Sequence, residues 1–156
     1  MKKLVAAVFA LGATLLITST VMADTVTRTP SPVMSPAVFH GLCSFDVLAV
    51  ALSNNEYTTT FVNQDGVIVK QIITGSLVVN FTNMSTGKST TQNISGPGKV
   101  TFNPDGSVTI DIMGREFGFP GDSLGSGRTV IDISPAGVGT VVSRQGSYQS
   151  LCSLLS

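Results

Sequence analysis

The sequence predicts an all-β fold, a closed or nearly closed antiparallel up-and-down barrel of about eight strands, with a two-sheet β-sandwich as the alternative. Turn residues recur regularly, since five tetrapeptides carry the Gly, Pro, Asn or Asp that tight turns require. Between Phe39 and Tyr148 the apolar residues show no helical period. Closure into a barrel would remove the exposed edges of such a sheet. The five tetrapeptides are 53–56, 63–66, 95–98, 103–106 and 134–137.

The N-terminus has the pattern of a secretory signal peptide. Lys2 and Lys3 precede an apolar run over residues 4–17, and small residues at 21–23 provide a cleavage position after Ala23. The alternative is a membrane anchor, but this run is shorter than the roughly 20 residues that span a bilayer. We therefore expect a signal peptide at 1–23 and a secreted or cell-surface protein without a transmembrane span in the mature chain.

Residues 24–38 are rich in Pro, Ser and Thr, a composition that favours extended and solvated backbone. We interpret this segment as a tail or linker and residues 39–156 as a single β-domain. Without residues 1–23 the chain has a formal charge of about −2, and its basic residues are scattered singly. It therefore lacks the basic stripe that nucleic-acid binding requires, and we exclude nucleic acid as a partner.

Two cysteines, Cys43 and Cys152, lie near opposite ends of the predicted domain. An even cysteine count in an exported chain predicts a disulfide between them. The alternative is two free thiols or a metal pair, although structural zinc requires four ligands.

Several segments have the composition of strands. Residues 107–112 alternate polar and apolar side chains, which places Val108, Ile110 and Ile112 on one face. The run at 67–82 is too long for one ordinary strand, and we interpret Gly75 near its middle as a bend or bulge. Further strands are predicted at 45–52, 56–62, 99–102, 129–133 and 138–143.

The order of several motifs resembles a group of small uncharacterised secreted proteins of actinobacteria. These motifs are Leu42-Cys43-Ser44-Phe45-Asp46-Val47, the segment 83–89, the turns at 95–98 and 105–107, Gly127-Arg128 and Leu151-Cys152. The resemblance covers about residues 41–153. It implies an exported all-β domain with one cysteine pair and provides no catalytic residues.

The glycine-rich segment 114–128 interrupts the regular spacing of strands and turns. Its first half alternates Arg115, Phe117 and Phe119 with other residues, which predicts a strand that continues past a bulge at Gly114, followed by a loop at about 120–127. Phe117 and Phe119 are either core residues, the orientation we favour, or an exposed aromatic pair. With Arg115 they are the candidate ligand-binding residues of the chain.

No residue pattern in the chain indicates catalysis, a metal or a cofactor. His40 is the only histidine and no G-x-S-x-G motif occurs, so we expect His40 to be a solvated residue at the start of the domain. Asp111 and Asp132 alternate with apolar residues and are expected to be solvated on the outer face.

Three classes of function remain open. The first is a non-catalytic binding module for a small apolar ligand, since some strands are apolar on both faces. The second is a structural or interaction protein of the cell envelope, with a cell-envelope component as its partner. The third is an enzyme without a recognisable motif, which we consider the least favoured.

Overall fold

The computed structural model describes residues 25–118 and 121–156, which form two antiparallel β-sheets and a short C-terminal helix. The predicted signal peptide at 1–23 and Phe119 lie outside the described residues. In the described ranges no helix has the length and apolar character needed to cross a membrane. The elements are β1 (Thr25–Pro30), β2 (Ala37–Phe39), β3 (Val47–Asn54), β4 (Tyr57–Val62), β5 (Ile68–Thr74), β6 (Leu77–Asn83), β7 (Ser89–Asn93), β8 (Gly98–Phe102), β9 (Val108–Phe117), β10 (Ser123–Ile133), β11 (Gly139–Ser150) and α1 (Leu151–Leu155).

The strands form two separate sheets. The large sheet has seven strands in the order β1-β4-β5-β8-β9-β10-β11, and the small sheet has four in the order β2-β3-β6-β7. Neither sheet pairs its first strand with its last, so both have open edges. The predicted closed barrel is therefore wrong, and the two-sheet alternative fits the observed architecture.

The barrel prediction fails because the chain changes sheet three times after β2. Strands β2 and β3 lie in the small sheet, β4 and β5 in the large, β6 and β7 in the small, and β8 to β11 in the large. Gly75 marks one of these changes, since β5 ends just before it and β6 begins just after it. The tetrapeptides 53–56 and 95–98 lie at the other two, so they connect sheets instead of forming hairpins.

The other three predicted turns are confirmed as hairpin turns between neighbouring strands. Gly66, Gly106 and Gly137 have φ values of 79°, 83° and 80°, which favour glycine over residues with a side chain. In each case the glycine N–H donates to the carbonyl of the first turn residue, as from Gly106 to Asn103 at 3.0 Å. These turns join β4 to β5, β8 to β9 and β10 to β11.

The Pro-rich segment is extended and mostly exposed, as its composition predicts, but it is bound to the domain. Residues of β1 pair with β4 in the large sheet, from Thr25 opposite Val62 to Pro30 opposite Tyr57. Residues of β2 pair with β3 in the small sheet. The connection between them, residues 31–36, therefore passes from one sheet to the other, and we call it the strap.

The main apolar core lies between the small sheet and one end of the large sheet. Phe81 in β6 and Leu124 in β10 are buried, and both leucines at the ends of α1 are fully buried. The predicted disulfide is confirmed: Cys43 and Cys152 are bonded, with their Cα atoms 5.5 Å apart. It joins the segment before β3 to α1, and both of these segments pack in the core cluster.

Strands β9 and β10 are longer than the sequence suggests, because the glycine-rich segment is largely strand. β9 continues through Gly114 to Phe117 with no register shift, so the bulge predicted there is absent. β10 begins at Ser123, so Gly125 and Gly127 lie inside a strand and not in a loop. Gly114, Gly127 and Gly146 are direct cross-strand neighbours in β9, β10 and β11. Gly127 and Gly146 are needed because β10 and β11 approach each other too closely here to admit a Cβ atom. Gly114 is favoured by its φ of 86°, since a Cβ atom there would meet nothing closer than 3.5 Å.

Replacing Gly127 with alanine tests this close approach. The added Cβ would collide with the carbonyl oxygen of Gln145 and lie 2.7 Å from the Cα of Gly146. We expect Gly127→Ala to lower the free energy of unfolding by about 3 kcal/mol, measured by urea denaturation. Gly139→Ala in β11 is the control, since its Cβ would meet nothing closer than 3.9 Å. Equal stability of the two variants would contradict the proposed steric requirement.

Candidate functional site

An apolar cavity of about 150 Å³ lies on the inner face of the small sheet. It arises because alternate side chains of β3 and β6 point toward the large sheet, and those of β3 at this position are alanines. The small alanine side chains leave space that the larger residues around them do not fill. All eleven lining residues are apolar: Val33, Met34, Ala37, Phe39, Ala49, Ala51, Leu77, Val79, Phe81, Ile94 and Phe117.

The strap contributes to this cavity through Val33 and Met34. Its first residue, Ser31, is anchored to the start of β4: its N–H donates to the carbonyl of Glu56 at 2.9 Å, and its hydroxyl lies 2.7 Å from that of Thr58. Near its other end, the hydroxyl of Ser35 accepts a hydrogen bond from the N–H of Ala51 at 2.9 Å. The strap is thus attached to both sheets.

Phe117 is the predicted site residue that the structure places in the cavity. Its ring lies 4.8 Å from that of Phe81 and 5.8 Å from that of Phe39, measured between centroids. The side chain is only partly buried and packs against the core cluster. Phe117 therefore points inward, which is the orientation that the sequence favours, and part of its side chain lines the cavity.

The other two candidates do not join Phe117 in the cavity. Phe119 lies outside the described residues. Arg115 is exposed on β9 and lines a separate polar cleft of about 300 Å³ between β7 and the end of the large sheet. The residues around this cleft are Gln92, Asn93, Arg115, Leu124, Gly125, Ser126, Ser147 and Gln149.

The residues on one face of β9 have different surroundings at the two ends of the strand. Asp111 and Phe117 occupy alternating positions of the same face, yet Phe117 packs against the small sheet and Asp111 lies beyond its reach. The prediction that Asp111 is solvated is wrong, because two basic side chains cover it and leave only 5% of the residue exposed. Both carboxylate oxygens accept hydrogen bonds from Arg128 at 2.9 Å, and the Lys99 ammonium lies 3.7 Å away. Asp132 is exposed, as predicted.

A buried polar cluster lies on the opposite face of β9 and β10, and the sequence did not predict it. The Thr129 hydroxyl donates to Oε1 of Glu116 at 2.5 Å, and the Tyr148 hydroxyl lies 3.2 Å from that of Thr129. Oε2 of Glu116 is buried and, among the described residues, has no hydrogen-bond partner.

His40 is an exposed residue, as predicted, and its Nδ1 lies 3.0 Å from a carboxylate oxygen of Asp46. No group of three or more His, Cys, Asp or Glu side chains suited to hold a metal ion is found within 25–118 and 121–156.

Most cavity residues were not predicted from the sequence because they come from six separate segments, four strands and two connections. One signal was present in β6, where Asn80 and Thr82 alternate with Val79 and Phe81, whereas β3 is apolar at every position from 47 to 52. This alternation predicts a shared apolar face, but the sequence does not show which strands bring such faces together.

The ion pair of Asp111 predicts a specific pH dependence of stability. The hydrogen bonds from Arg128 hold the pKa of Asp111 below its usual value, despite the opposing effect of burial. A carboxylate whose pKa is lower in the folded state stabilises the fold fully above the unfolded-state pKa of about 4. This contribution is lost as the pH falls through the lower folded-state pKa.

We therefore expect Asp111→Asn to lower the free energy of unfolding by about 1 kcal/mol at pH 7, a modest value because Arg128 is exposed. The difference from the wild type should shrink below about pH 4, measured by urea denaturation across pH. Asp132→Asn, at an exposed position, is the control. A difference that stays constant down to pH 2 would contradict this role of the carboxylate.

The position of Phe117 predicts a loss of stability on truncation. Phe117→Ala removes the ring contacts with Phe39 and Phe81, and we expect a decrease of about 2 kcal/mol in the free energy of unfolding for this partly buried side chain. Met113→Ala, at an exposed position of the same face of β9, should change stability little. The melting temperatures of the two variants are compared by thermal denaturation. Similar values would show that Phe117 is not a core residue.

Comparisons with protein-family models, curated proteins and solved structures give no match to this chain.

Proposed function

We propose that this protein is a small exported, non-catalytic binding module whose ligand has a small apolar part. The observation that carries the proposal is the cavity on the small sheet, whose eleven lining residues are all apolar. A ligand group that enters it exchanges water for hydrocarbon contacts and makes no hydrogen bonds there, which is the condition for hydrophobic binding.

The volume of the cavity limits the size of the group that it accepts. Drug-sized ligands occupy pockets of roughly 300 Å³ or more, whereas an apolar cavity of about 150 Å³ accepts a group the size of benzene. We infer that one aromatic ring or the end of one hydrocarbon chain enters. The rings of Phe39, Phe81 and Phe117 provide flat apolar surfaces for either group.

The alternative, a structural or interaction protein of the cell envelope, was supported by the absence of catalytic motifs together with the Pro-rich segment, interpreted as a tail or linker. Residues 25–39 include two strands that pair with the sheets, and the strap between them is hydrogen-bonded to the domain. The described part of the segment is therefore not a free tether, which favours the binding module.

A titration with benzene tests the proposal. Amide resonances of the residues that line the cavity should shift on addition of benzene to the wild-type protein. Ala51→Leu adds a larger side chain to the cavity wall and should weaken binding at least tenfold, since it occupies the space that the ligand needs.

Val50→Leu is the matched control, because Val50 neighbours Ala51 in β3 but does not line the cavity. Mass spectrometry of the purified protein under native conditions adds a second measurement, since a ligand retained through purification would appear as added mass. Absence of any benzene-induced shift at the cavity residues of the wild type would overturn the proposal.

A further inference from the structure

The polar cleft and the apolar cavity are adjacent, and two pairs of residues connect them. On β9, Phe117 lines the cavity and Arg115 lines the cleft, two positions away on the same face, with roughly 7 Å between their Cα atoms. On the opposite wall, Ile94 lines the cavity and Gln92, two positions earlier, lines the cleft. Both walls thus change from apolar to polar over the same short distance.

The cleft is suited to a negatively charged group. Arg115 is the only charged residue in its lining, and the remaining polar side chains are amides and hydroxyls that can donate hydrogen bonds. Within the described ranges no carboxylate lies at ion-pair distance from Arg115. Its guanidinium is exposed, so its donors are accessible to a ligand.

Leu124 contributes to both the cleft and the apolar cluster beside the cavity. It lines the cleft and belongs to the same buried cluster as Val79 and Phe81, which line the cavity. A hydrocarbon chain that leaves the cavity beside Phe117 therefore meets apolar surface before it reaches the polar groups around Arg115.

We propose that the ligand is an anionic amphiphile, a single hydrocarbon chain that ends in a carboxylate. The end of the chain occupies the apolar cavity against Phe117, and the carboxylate binds Arg115 in the polar cleft. This inference rests on the proposed binding function and adds the chemical class of the ligand. Its basis is the adjacency of a cavity lined by apolar residues and a cleft whose one charged lining residue is positive.

The test compares octanoate, 1-octanol and acetate as probes at pH 7.5, with binding measured by amide shifts and calorimetry. Octanoate should bind the wild type more tightly than octanol, because only octanoate carries a charge that Arg115 attracts. Acetate should bind far more weakly than either, because it lacks the chain. Raising the salt concentration from 50 to 500 mM should weaken octanoate binding and leave octanol binding unchanged, since salt screens exposed charges.

Arg115→Gln should weaken octanoate binding about fivefold, as expected for loss of one exposed charge pair, and should leave octanol binding unchanged. Arg115→Lys restores the charge and should recover most of the affinity. The matched control is Arg28→Gln, which removes an arginine from β1, outside the lining of both the cavity and the cleft. Thermal denaturation checks that each variant is folded.

Three outcomes would overturn the inference. Equal affinity of octanoate and octanol, unaffected by Arg115→Gln, would reject the anionic head group and leave the apolar binding function intact. If acetate bound as tightly as octanoate, the site would recognise the carboxylate alone and the hydrocarbon chain would not contribute to binding. Failure of benzene and both eight-carbon probes to bind would reject the proposed function together with this inference.

Discussion

The structure depends on the contact between the inner face of the small sheet and one end of the large sheet. Phe117 and Leu124 belong to the large sheet, and they pack with Phe81 and Val79 of the small sheet in one cluster. Among the described residues no backbone ladder joins the two sheets, so hydrophobic burial at this contact is a main interaction between them. The cavity follows from it directly, since Ala49 and Ala51 lie opposite a region that larger side chains do not fill.

Three further constraints act on this contact from the chain ends. The strap attaches to both sheets through Ser31 and Ser35, and the disulfide joins the segment before β3 to α1. Asp122, in the connection between β9 and β10, accepts hydrogen bonds from the Ser150 hydroxyl and from the N–H of Cys152. The strap therefore connects the two sheets directly, and the disulfide does so through α1, which Asp122 holds at the end of the large sheet.

Much of the local structure could be predicted from the residues. The turns at 63–66, 103–106 and 134–137 and the Cys43–Cys152 bond were predicted correctly, because each depends on the chemistry of a few residues. Connectivity could not be predicted: the tetrapeptides 53–56 and 95–98 have ordinary turn residues, yet they connect different sheets. Turn residues permit a change of direction, but the partner of the next strand is selected by long-range packing. The barrel was predicted on the assumption that sequence neighbours pair, and this assumption fails at each such connection.

The sequence by itself determined the all-β class, three hairpins and the cysteine pair, and it suggested Arg115 and Phe117 as candidate residues. Those features follow from side-chain alternation and turn chemistry, which act over a few residues. The sequence predicted about eight strands where the described residues form eleven, because β1 and β2 lie in the segment interpreted as a tail and β7 was not predicted. Only the tertiary structure decided that Phe117 faces a cavity, that Arg115 lines a neighbouring cleft and that Asp111 is covered by Arg128. Asp111 and Phe117 lie on the same face of β9, so the alternation pattern alone does not distinguish their surroundings. They differ because the small sheet covers only one end of that face, and coverage is a property of how the two sheets pack.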